Sequence, residues 1–439
     1  MTYHRLTFPK DFKWGSAASA HQTEGGNHND WSEWEKVPGK IRDKSSSVVA
    51  CEHYKRYRED FDLAKKYGHQ VHRFSVEWSR IEPQRGAWNQ REIDHYRDVV
   101  KSLVDRGIEP MVTLHHFTNP IWFRDSDGWL NPKSPLVFAP YCRKVAEALC
   151  DYDITWNTIN EPMVLVAMGY LYGEFPPGHR DYGMAMIAAR HLAMAHGQAA
   201  LQIREVYAER GLDQPRIAPV LSVSHFMPAD ENNQEDVDLA RYLDNLYNHM
   251  WIQGVVEARI PDFQKPFEDW EHYEPLVDSA DFIGLNYYSR MRVSSRLDFL
   301  AGEMPPKEPG LERCEGLDWE VYPLGYYHEI NSFWKRYRRP IFLTENGIGT
   351  QDDRLRCKYI LSHLQQVHRS ISEGANVLGY LVWSLTYNFE WAHGYSSHFG
   401  LIEVDYKTQE RRPRRSASVF RDIIRSNTIS EEMQAKYIG

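Results

Sequence analysis

Two short segments of the chain could each supply a catalytic carboxylate. Residues 155–162 read TWNTINEP and residues 341–347 read IFLTENG, so each carries an apolar, strand-like stretch into one glutamate, Glu161 or Glu345, beside an asparagine. Proline or glycine then stops the strand. A strand that ends in this way presents its acid at the rim of a sheet, where barrel enzymes carry their active sites. Two such acids indicate paired-carboxylate catalysis, of which glycoside hydrolysis is the commonest form.

Further motifs occur in the order found in one known family. Residues 8–25 begin with FP and continue to FKWGSAASAHQTEG, and residues 383–391 read WSLTYNFEW. With the two glutamate segments, these motifs resemble glycoside hydrolase family 1, the retaining β-glucosidases and β-galactosidases. The resemblance covers nearly the whole chain. It implies an enzyme that removes terminal β-linked glucose, galactose or fucose from small glycosides through a covalent glycosyl-enzyme, which water or an alcohol can intercept.

The resemblance also implies roles for individual residues. Glu161 matches the acid/base of the family, and Glu345 matches the nucleophile. Three residues are expected to support catalysis, and the first and last of them match family residues that contact the nucleophile: Arg73, Asn286 and Tyr288. Polar and aromatic residues match the positions that bind the sugar: Gln22, His116, Asn160, Trp383, Glu390 and Trp391.

The chemistry requires two like side chains in opposite protonation states. A cation and a hydroxyl donor, Arg73 and Tyr288, would keep Glu345 ionised. That negative charge and partial desolvation would raise the pKa of Glu161, so that it protonates the departing oxygen. Once Glu345 is glycosylated its charge is gone, and Glu161 can act as a base toward water. Asn160 is placed to bind the 2-hydroxyl group, a contact that strengthens in the transition state.

Each assignment has a purely structural alternative. Arg73 could be an ordinary ion-pair partner, Gln22 and His116 members of a polar network, and Trp383 a core residue. The alternative function is a silent carbohydrate-binding barrel, which would keep the pocket but lose one acid; both acids are present. The chain has 20 histidines, including the pair at 115–116, but no HExxH-type spacing. We therefore expect neither a catalytic metal nor a cofactor.

The chain departs from the family pattern in ways that bear on its substrate. Residues 115–117 read HHF where the family commonly has Tyr-His-Trp, and Tyr387 stands where an acidic residue is common. These changes can alter the wall of the sugar pocket or the rim of the barrel. Members that cleave 6-phosphoglycosides replace the acid at the Glu390 position and add a nearby lysine, which residues 395–400 lack. An unphosphorylated sugar is therefore expected. Glu161, rather than glutamine, argues against a thioglucosidase.

The spacing of apolar residues predicts alternating helices and strands that position these side chains. Helices are expected over residues 50–68 and 93–104, from Ser134 as an N-cap with Pro135 in the first turn, and around residues 360–371. Candidate strands lie near residues 13–18, 71–76, 110–114, 154–159, 217–223, 281–286, 340–344 and 378–384. Eight strands in alternation with helices predict an α/β fold with a single closed, parallel (β/α)8 TIM barrel.

One connecting segment is long for a loop between a strand and a helix. Residues 289–322 are interrupted by proline and glycine and include Trp319. We expect this segment to border the subsite for the leaving group.

The composition of the chain limits its expected domain number and its expected partners. The 439 residues contain 42% hydrophobic residues and no linker-like stretch, so one catalytic domain, residues 1–439, is expected. The net charge of −9 argues against nucleic-acid or anionic-membrane partners, and residues 411–415 (RRPRR) are interpreted as a solvated surface turn. Small-molecule β-glycosides are the expected partners, whereas the oligomeric state is left open.

Cysteine usage and the N-terminus predict the compartment. The five cysteines are widely spaced and form no CxxC pair, which indicates reduced thiols rather than a disulfide framework. The first ten residues lack an apolar signal core, and no stretch of about 18 apolar residues follows. These features predict a cytoplasmic protein.

Overall fold

Eight parallel strands form a closed barrel at the centre of the molecule. The structure is a computed structural model and describes residues 5–262 and 270–438. The barrel strands are β1 (Lys13–Ala17), β2 (Val71–Ser75), β3 (Glu109–His115), β4 (Thr155–Asn160), β5 (Ile217–Pro228), β6 (Ile283–Val293), β7 (Ile341–Asn346) and β8 (Val377–Trp383). Each strand pairs in parallel with its neighbour in the chain, and β8 pairs with β1. The predicted barrel is confirmed, with all eight strands near the expected positions.

The strands are covered on the outside by helices, which explains why several read as continuous buried runs. The main helices are α1 (His53–Lys66), α2 (Gln90–Val104), α3 (Ser134–Leu149), α4 (Tyr182–Glu209), α5 (Gln234–Leu243), α6 (Met250–Val256), α7 (Pro323–Tyr337), α8 (Asp353–Ser372) and α9 (Arg415–Ser426). Short α-helices lie at Ala20–Thr23, Asp30–Trp34, Trp78–Ile81, Ile121–Arg124, Pro162–Val166 and Glu431–Tyr437.

Single-turn helices and three small ribbons complete the fold. The 3-10 turns are Gly128–Leu130, Glu274–Leu276, Phe299–Ala301 and Trp391–His393, and the π-helical turns are Ala167–Leu171 and Asp244–His249. Antiparallel ribbons pair Arg5–Thr7 with Thr428–Ser430, Arg259–Ile260 with Glu271–His272, and Ile402–Val404 with Arg411–Pro413.

The four predicted helices correspond to α1, α2, α3 and α8, with one local error. Ser134 is the first helical residue of α3 rather than its N-cap, because Lys133 occupies the cap position. The Ser134 hydroxyl therefore makes no capping bond and is buried without a partner. Pro135 does lie in the first turn, where a missing N–H group has no cost.

Two barrel strands are longer than predicted. β5 and β6 continue past the rim as a paired ladder that ends with Pro228 opposite Val293. The extension is stabilised by a small apolar cluster in which Phe226 and Val293 pack against Leu243 of α5. The sequence pattern did not reveal this extension because the covering partner lies in a separate helix.

The interpretation of residues 411–415 as a solvated turn is wrong for two of the four arginines. Arg411 is buried and forms an ion pair with the fully buried Asp60, with 2.9 Å between Arg411 Nε and Asp60 Oδ1. Arg414 pairs with Asp353 at 3.2 Å. Arg412 is exposed. Successive residues of a strand point to opposite sides, so the Arg411–Pro413 strand turns Arg411 inward and Arg412 outward.

Membrane-spanning helices, metal-binding clusters and disulfide bonds are all absent from the described residues. No helix in residues 5–262 or 270–438 is both long and apolar enough to cross a membrane. Within the same ranges, no cluster of three or more His, Cys, Asp or Glu side chains is placed to hold a metal ion. The five cysteine side chains are buried and are not joined to one another.

Candidate active site

The predicted site residues meet at the carboxyl ends of the barrel strands, in one network of contacts. Each belongs to a strand end or to the segment that follows it: Gln22 after β1, Arg73 in β2, His116 after β3, Asn160 and Glu161 at β4, Asn286 and Tyr288 in β6, Glu345 in β7, and Trp383, Glu390 and Trp391 at and after β8. In this fold the carboxyl rim carries the active site.

Glu161 is fixed by an unusual backbone conformation. It follows the last residue of β4 and precedes Pro162, which disfavours the right-handed helical region for the residue before it. Glu161 instead adopts φ 46° and ψ 58°, the left-handed region that a non-glycine residue rarely occupies. Its amide nitrogen donates to the Val220 carbonyl of β5 at 2.7 Å. From this turn the buried carboxyl reaches Asn286 of β6 and Ser222 of β5.

The carboxyl of Glu345 has a cation and a hydroxyl as partners. Arg73 Nη1 donates to Glu345 Oε1, and the Tyr288 hydroxyl donates to Oε2 at 2.5 Å. Arg73 is itself held in the barrel interior, because its Nε donates to Thr113 Oγ1 and Asn157 Oδ1, both at 3.1 Å. The guanidinium is fully buried and therefore has little freedom to leave the carboxylate.

Asn286 connects the two carboxyl groups. Its Nδ2 donates to Glu161 Oε1 at 2.8 Å and lies 3.3 Å from Asn160 Oδ1, and Asn286 also hydrogen bonds Glu345. Thr344 Oγ1 donates to Asn286 Oδ1 at 2.7 Å, which fixes the amide orientation. Neighbouring strands produce this arrangement, since Asn286 of β6 lies opposite Glu345 of β7 after a register shift between Leu343 and Glu345.

Burial and charge set different conditions for the two acids. Burial raises the pKa of Glu161 to about 8, with the Glu345 charge as the second cause. Burial also raises the pKa of Glu345, but Arg73 and the Tyr288 hydroxyl oppose that rise. Desolvation is therefore the largest cause of the pKa shift at both carboxyls. The sequence argument for Glu161 had put the charge of Glu345 first. Glu161 is the carboxyl that lacks a direct cation.

A third carboxyl, Glu390, lies in the same site. Gln22 Nε2 donates to Glu390 Oε2 at 3.4 Å and to Asn388 Oδ1 at 3.1 Å. Burial raises the pKa of Glu390 to about 8, and the charges of Glu345 and Glu161 add to the rise. A hydrogen bond from the Trp383 side chain lowers it.

The rings and amides of the site form its remaining wall. Asn160 Nδ2 donates to His116 Nε2 at 3.1 Å, so the proton of the neutral imidazole lies on Nδ1, which is buried and has no protein partner. Burial holds the pKa of His116 well below its usual range. The His116 ring lies nearly parallel to Trp383 and Trp391, with centroids 6.0 Å away in each case. The wall therefore combines one available N–H donor with apolar rings.

The long segment after Ser289 reaches the site through Trp319. The Trp319 and Tyr288 ring centroids lie 5.3 Å apart. The segment is held by a buried ion pair, with Arg290 Nε 2.8 Å from Glu320 Oε2. Trp319 therefore lies beside the hydroxyl-bearing ring that contacts Glu345.

Sequence reasoning overlooked the residues that hold the functional groups in place. They are Thr113, Asn157 and Thr344, together with Ser222, whose hydroxyl bonds Glu161. One signal pointed to Ser222: β5 was the only predicted barrel strand that supplied no site residue. The other three lie within strands, where polar side chains must find partners inside the barrel.

The departures from the family pattern have distinct positions. Phe117 packs on Trp391 of the site wall, with ring centroids 5.1 Å apart. His115 is buried behind the wall and bonds Asn119. Tyr387 lies away from the carboxyl pair, and its hydroxyl accepts a hydrogen bond of 2.5 Å from Arg414.

A parallel (β/α)8 barrel with two carboxyls in unlike environments at its carboxyl rim defines the class of barrel glycosidases. The family model for glycosyl hydrolase family 1 matches residues 4–429. The chain belongs to glycosyl hydrolase family 1 and is therefore a β-glycosidase, a hydrolase of O-glycosyl bonds.

Individual relatives are similar over their full length. The chain is 32% identical to β-glucosidase A of Thermotoga maritima, over 97% of this chain and 99% of that protein. It is 30% identical to a β-galactosidase of Pyrococcus woesei, over 98% of this chain and 99% of that protein. A solved structure of a β-glucosidase from T. maritima in complex with glucoimidazole has a TM-score of 0.87 at 31% identity, over 96% and 99% of the two chains.

Proposed function

We propose that the protein is a retaining β-glycosidase that hydrolyses terminal β-linked glucose from small glycosides, and that also accepts galactose or fucose. Glu345 is the nucleophile and Glu161 is the acid/base. The observation that carries the proposal is the unequal environment of the two buried carboxyls. Glu345 is held by Arg73 and Tyr288, whereas Glu161 has a pKa of about 8 and no direct cation.

The reaction follows from these environments in two displacements. A Glu345 carboxylate oxygen attacks the anomeric carbon, the bond from that carbon to the leaving oxygen breaks, and Glu161 transfers its proton to that oxygen. In the second step Glu161 takes a proton from water, the water oxygen bonds the anomeric carbon, and Glu345 departs as a carboxylate. Esterified Glu345 carries no charge, so the repulsion that raised the Glu161 pKa is then absent. An alcohol in place of water gives transglycosylation.

The surrounding side chains fit a polyol. Gln22, Asn160 and Glu390 offer donors and acceptors, and His116 offers an N–H group at Nδ1. Trp383 and Trp391 supply apolar ring surface for the C–H face of the sugar. The carboxyl of Glu390 disfavours a phosphate group nearby, which supports an unphosphorylated substrate. The two relatives described above, one a glucosidase and one a galactosidase, support tolerance of different sugars.

The identity of the nucleophile is tested by the stereochemistry of azide rescue. Wild type, Glu345→Ala and Glu161→Ala are assayed on 2,4-dinitrophenyl β-glucoside with added azide. In Glu345→Ala, azide replaces the nucleophile and a single displacement gives the α-glycosyl azide. In Glu161→Ala, azide attacks the glycosyl-enzyme and gives the β-glycosyl azide. Exchanged products would reverse the assignment, and undiminished turnover by both variants would exclude it. Glu274→Ala, at an exposed site, is the control.

Substrate preference is tested in a separate assay. Wild-type kcat/KM is compared on nitrophenyl β-glucoside, β-galactoside, β-fucoside and 6-phospho-β-glucoside. We expect turnover of the first three and none of the fourth. Preferential turnover of the phosphorylated sugar would contradict the proposal.

The segment that carries Trp319 is proposed to border the leaving-group subsite. The support is the contact between Trp319 and Tyr288, which places an indole beside the proposed nucleophile. Trp319→Ala should change kcat/KM differently for alkyl and aryl leaving groups on one glucose. Equal loss on all leaving groups would contradict this role.

We also propose that residues 1–439 form a single catalytic domain that acts in the cytoplasm. The main apolar core is continuous around the described part of the barrel, which supports one domain. Five buried cysteines, none joined to another, suit a reducing compartment. Limited proteolysis that released a stable, separately folded fragment would contradict the single domain.

A further inference from the structure

The turn after β3 holds a strained residue at the wall of the site. Phe117 adopts φ 73°, a left-handed conformation that is a true outlier for a bulky side chain. Such a conformation is strained and persists only where surrounding contacts enforce it. The neighbouring residues on either side are His116, which bonds Asn160, and Thr118, which bonds Glu77.

Asn119 supplies the contacts that enforce this turn. Its Nδ2 donates to the Phe117 carbonyl at 3.2 Å and to Asp30 Oδ2 at 2.8 Å. Its Oδ1 lies 3.0 Å from His115 Nε2. One side-chain amide therefore links the last residue of β3, the strained residue and a carboxyl from another segment. Asn119 is buried, so these bonds are not exchanged with water.

Asp30 anchors the amide to the short helix Asp30–Trp34. Asp30 Oδ1 accepts from the Asn119 and Trp31 backbone amides, both at 2.9 Å, and the Asp30 amide donates to the Asn119 carbonyl at 3.0 Å. The two residues are thus joined by three hydrogen bonds. His115 and Phe117, which Asn119 contacts, belong to residues 115–117, where the chain departs from the family pattern.

The turn carries two parts of the sugar pocket. His116 presents its unpartnered Nδ1–H, and Phe117 packs on Trp391 at 5.1 Å and on Phe175 at 5.7 Å between centroids. A shift of the turn would move the N–H donor and the indole wall together. Asn119 does not itself contact the carboxyl pair.

We propose that Asn119, anchored by Asp30, is a positioning residue that sets sugar-hydroxyl recognition by holding His116 in place. This inference rests on the proposed function, because it assigns His116 to a sugar hydroxyl. Relaxation of the turn weakens that one hydroxyl contact, whereas Gln22 and Glu390, which hydrogen bond each other and not Asn119, keep theirs.

The test compares nitrophenyl β-glucoside with its 2-, 3-, 4- and 6-deoxy analogues. The His116→Ala variant identifies the sugar hydroxyl that His116 recognises, because removing that hydroxyl from the substrate no longer lowers kcat/KM in this variant. Asn119→Asp removes the Nδ2 donor and faces Asp30 with a second carboxylate. We expect kcat/KM for the parent glucoside to fall about tenfold, the worth of about one hydrogen bond, with the loss confined to the hydroxyl that His116 recognises. In the His116→Ala background the same change should cost less than about threefold, because coupled residues are not additive.

Two further variants keep the result independent of folding. Asp30→Asn keeps one side-chain oxygen to accept from the backbone amides of Asn119 and Trp31, so it is a milder change. It is used if Asn119→Asp does not fold. The double variant Asp30→Asn with Asn119→Asp restores a donor between the positions and should recover part of the loss. Asn331→Asp is the matched control, since Asn331 is a buried amide that bonds Tyr327 and Ser370 between α7 and α8.

The inference is overturned if Asn119→Asp, or Asp30→Asn in its place, lowers kcat/KM equally on all deoxy analogues. Full additivity with His116→Ala would overturn it as well. These results differ from a failure of the proposed function, which would appear as an inactive wild type or an active Glu345→Ala.

Discussion

The pKa values of the carboxyl groups in the site depend more on desolvation than on the charges of single neighbours. Glu161 and Glu390 both have a pKa of about 8, and burial is the largest cause for each. Glu345 is set apart by one guanidinium and one hydroxyl rather than by lesser burial. The proposed division of roles between Glu161 and Glu345 therefore depends on the donors that surround Glu345.

Removal of the hydroxyl donor to Glu345 is expected to slow catalysis. A hydrogen bond to a charged group contributes about 1.5–3 kcal/mol, so Tyr288→Phe should lower kcat about 10- to 100-fold. Steady-state kinetics on nitrophenyl β-glucoside measures the change. Tyr287→Phe is the matched control, because the neighbouring hydroxyl donates to the Tyr322 carbonyl outside the site. An unchanged kcat in Tyr288→Phe would contradict the role of the hydroxyl.

The pH dependence of the reaction should report Glu161. Its pKa of about 8 means that the carboxyl carries the proton below pH 8 and loses it as the pH rises further. Wild-type kcat/KM on a glycoside with a poor leaving group should therefore fall as pH increases through about 8. With a dinitrophenyl leaving group, which needs no proton, Glu161→Gln should show no such fall.

Glu390 has a similar pKa and provides the discriminating variant. If Glu161 causes the fall of kcat/KM at alkaline pH (the alkaline limb), the Glu390→Gln variant should still show that fall, even if its KM is altered. Disappearance of the limb in Glu390→Gln and its persistence in Glu161→Gln would assign it to Glu390 instead.

At the scale of elements, the segments after the strands are tied to one another by polar contacts. Asp43 Oδ2 accepts from the Tyr395 amide at 2.6 Å, and the Tyr395 hydroxyl donates to the Ser46 carbonyl at 2.9 Å. The Arg42 amide donates to the Ala392 carbonyl at 2.8 Å. These bonds hold the turn that follows Glu390 and Trp391.

The Arg411–Asp60 pair links the ribbon near the C-terminus to α1, and its loss should be costly. Removing one partner of a buried ion pair costs about 3–5 kcal/mol, and here it would leave Asp60 with His53, at 2.7 Å, as its remaining ion-pair partner. Arg411→Met should therefore lower Tm by several degrees in thermal unfolding. Arg412→Met, next in the chain and exposed, should leave Tm unchanged. Equal Tm values for the two variants would contradict the prediction.

For the whole molecule, the buried acids link stability to pH. Glu161 has a folded-state pKa of about 8, raised from 4.5. Between these values the folded state keeps a proton that the unfolded state has lost, so stability falls as pH rises. Below pH 4.5 both states are protonated and the cost is absent. At neutral and alkaline pH, the buried Glu161 carboxyl therefore lowers the free energy of unfolding.

Glu161→Gln should remove this pH-dependent cost. The Tm of the variant should exceed that of wild type by a margin that grows from pH 5 to pH 8.5, because one pKa unit corresponds to about 1.4 kcal/mol. Exposed Glu274→Gln should show no such trend. A margin that shrank as pH rose would contradict the assigned direction of the pKa shift.

The sequence by itself determined the barrel, and it located the two strand-end glutamates that we propose as the catalytic pair. Strand and helix periods are local properties, and all eight strands lie near the predicted positions. Glu161 and Glu345 were identifiable because a proline or glycine follows each at a strand end. Neither inference requires knowledge of distant contacts, since both depend on residues adjacent in the chain.

The tertiary structure alone decided which side chains support the site and which charges are buried. Thr113 and Asn157 hold Arg73 from two other strands, and Asn119 reaches Asp30 from 89 positions away in the chain. Arg411 looked like part of a solvated basic turn because Asp60 is remote in sequence. Desolvation depends on every segment packed around a group, so the raised pKa values of the acids follow from the folded barrel and not from local motifs.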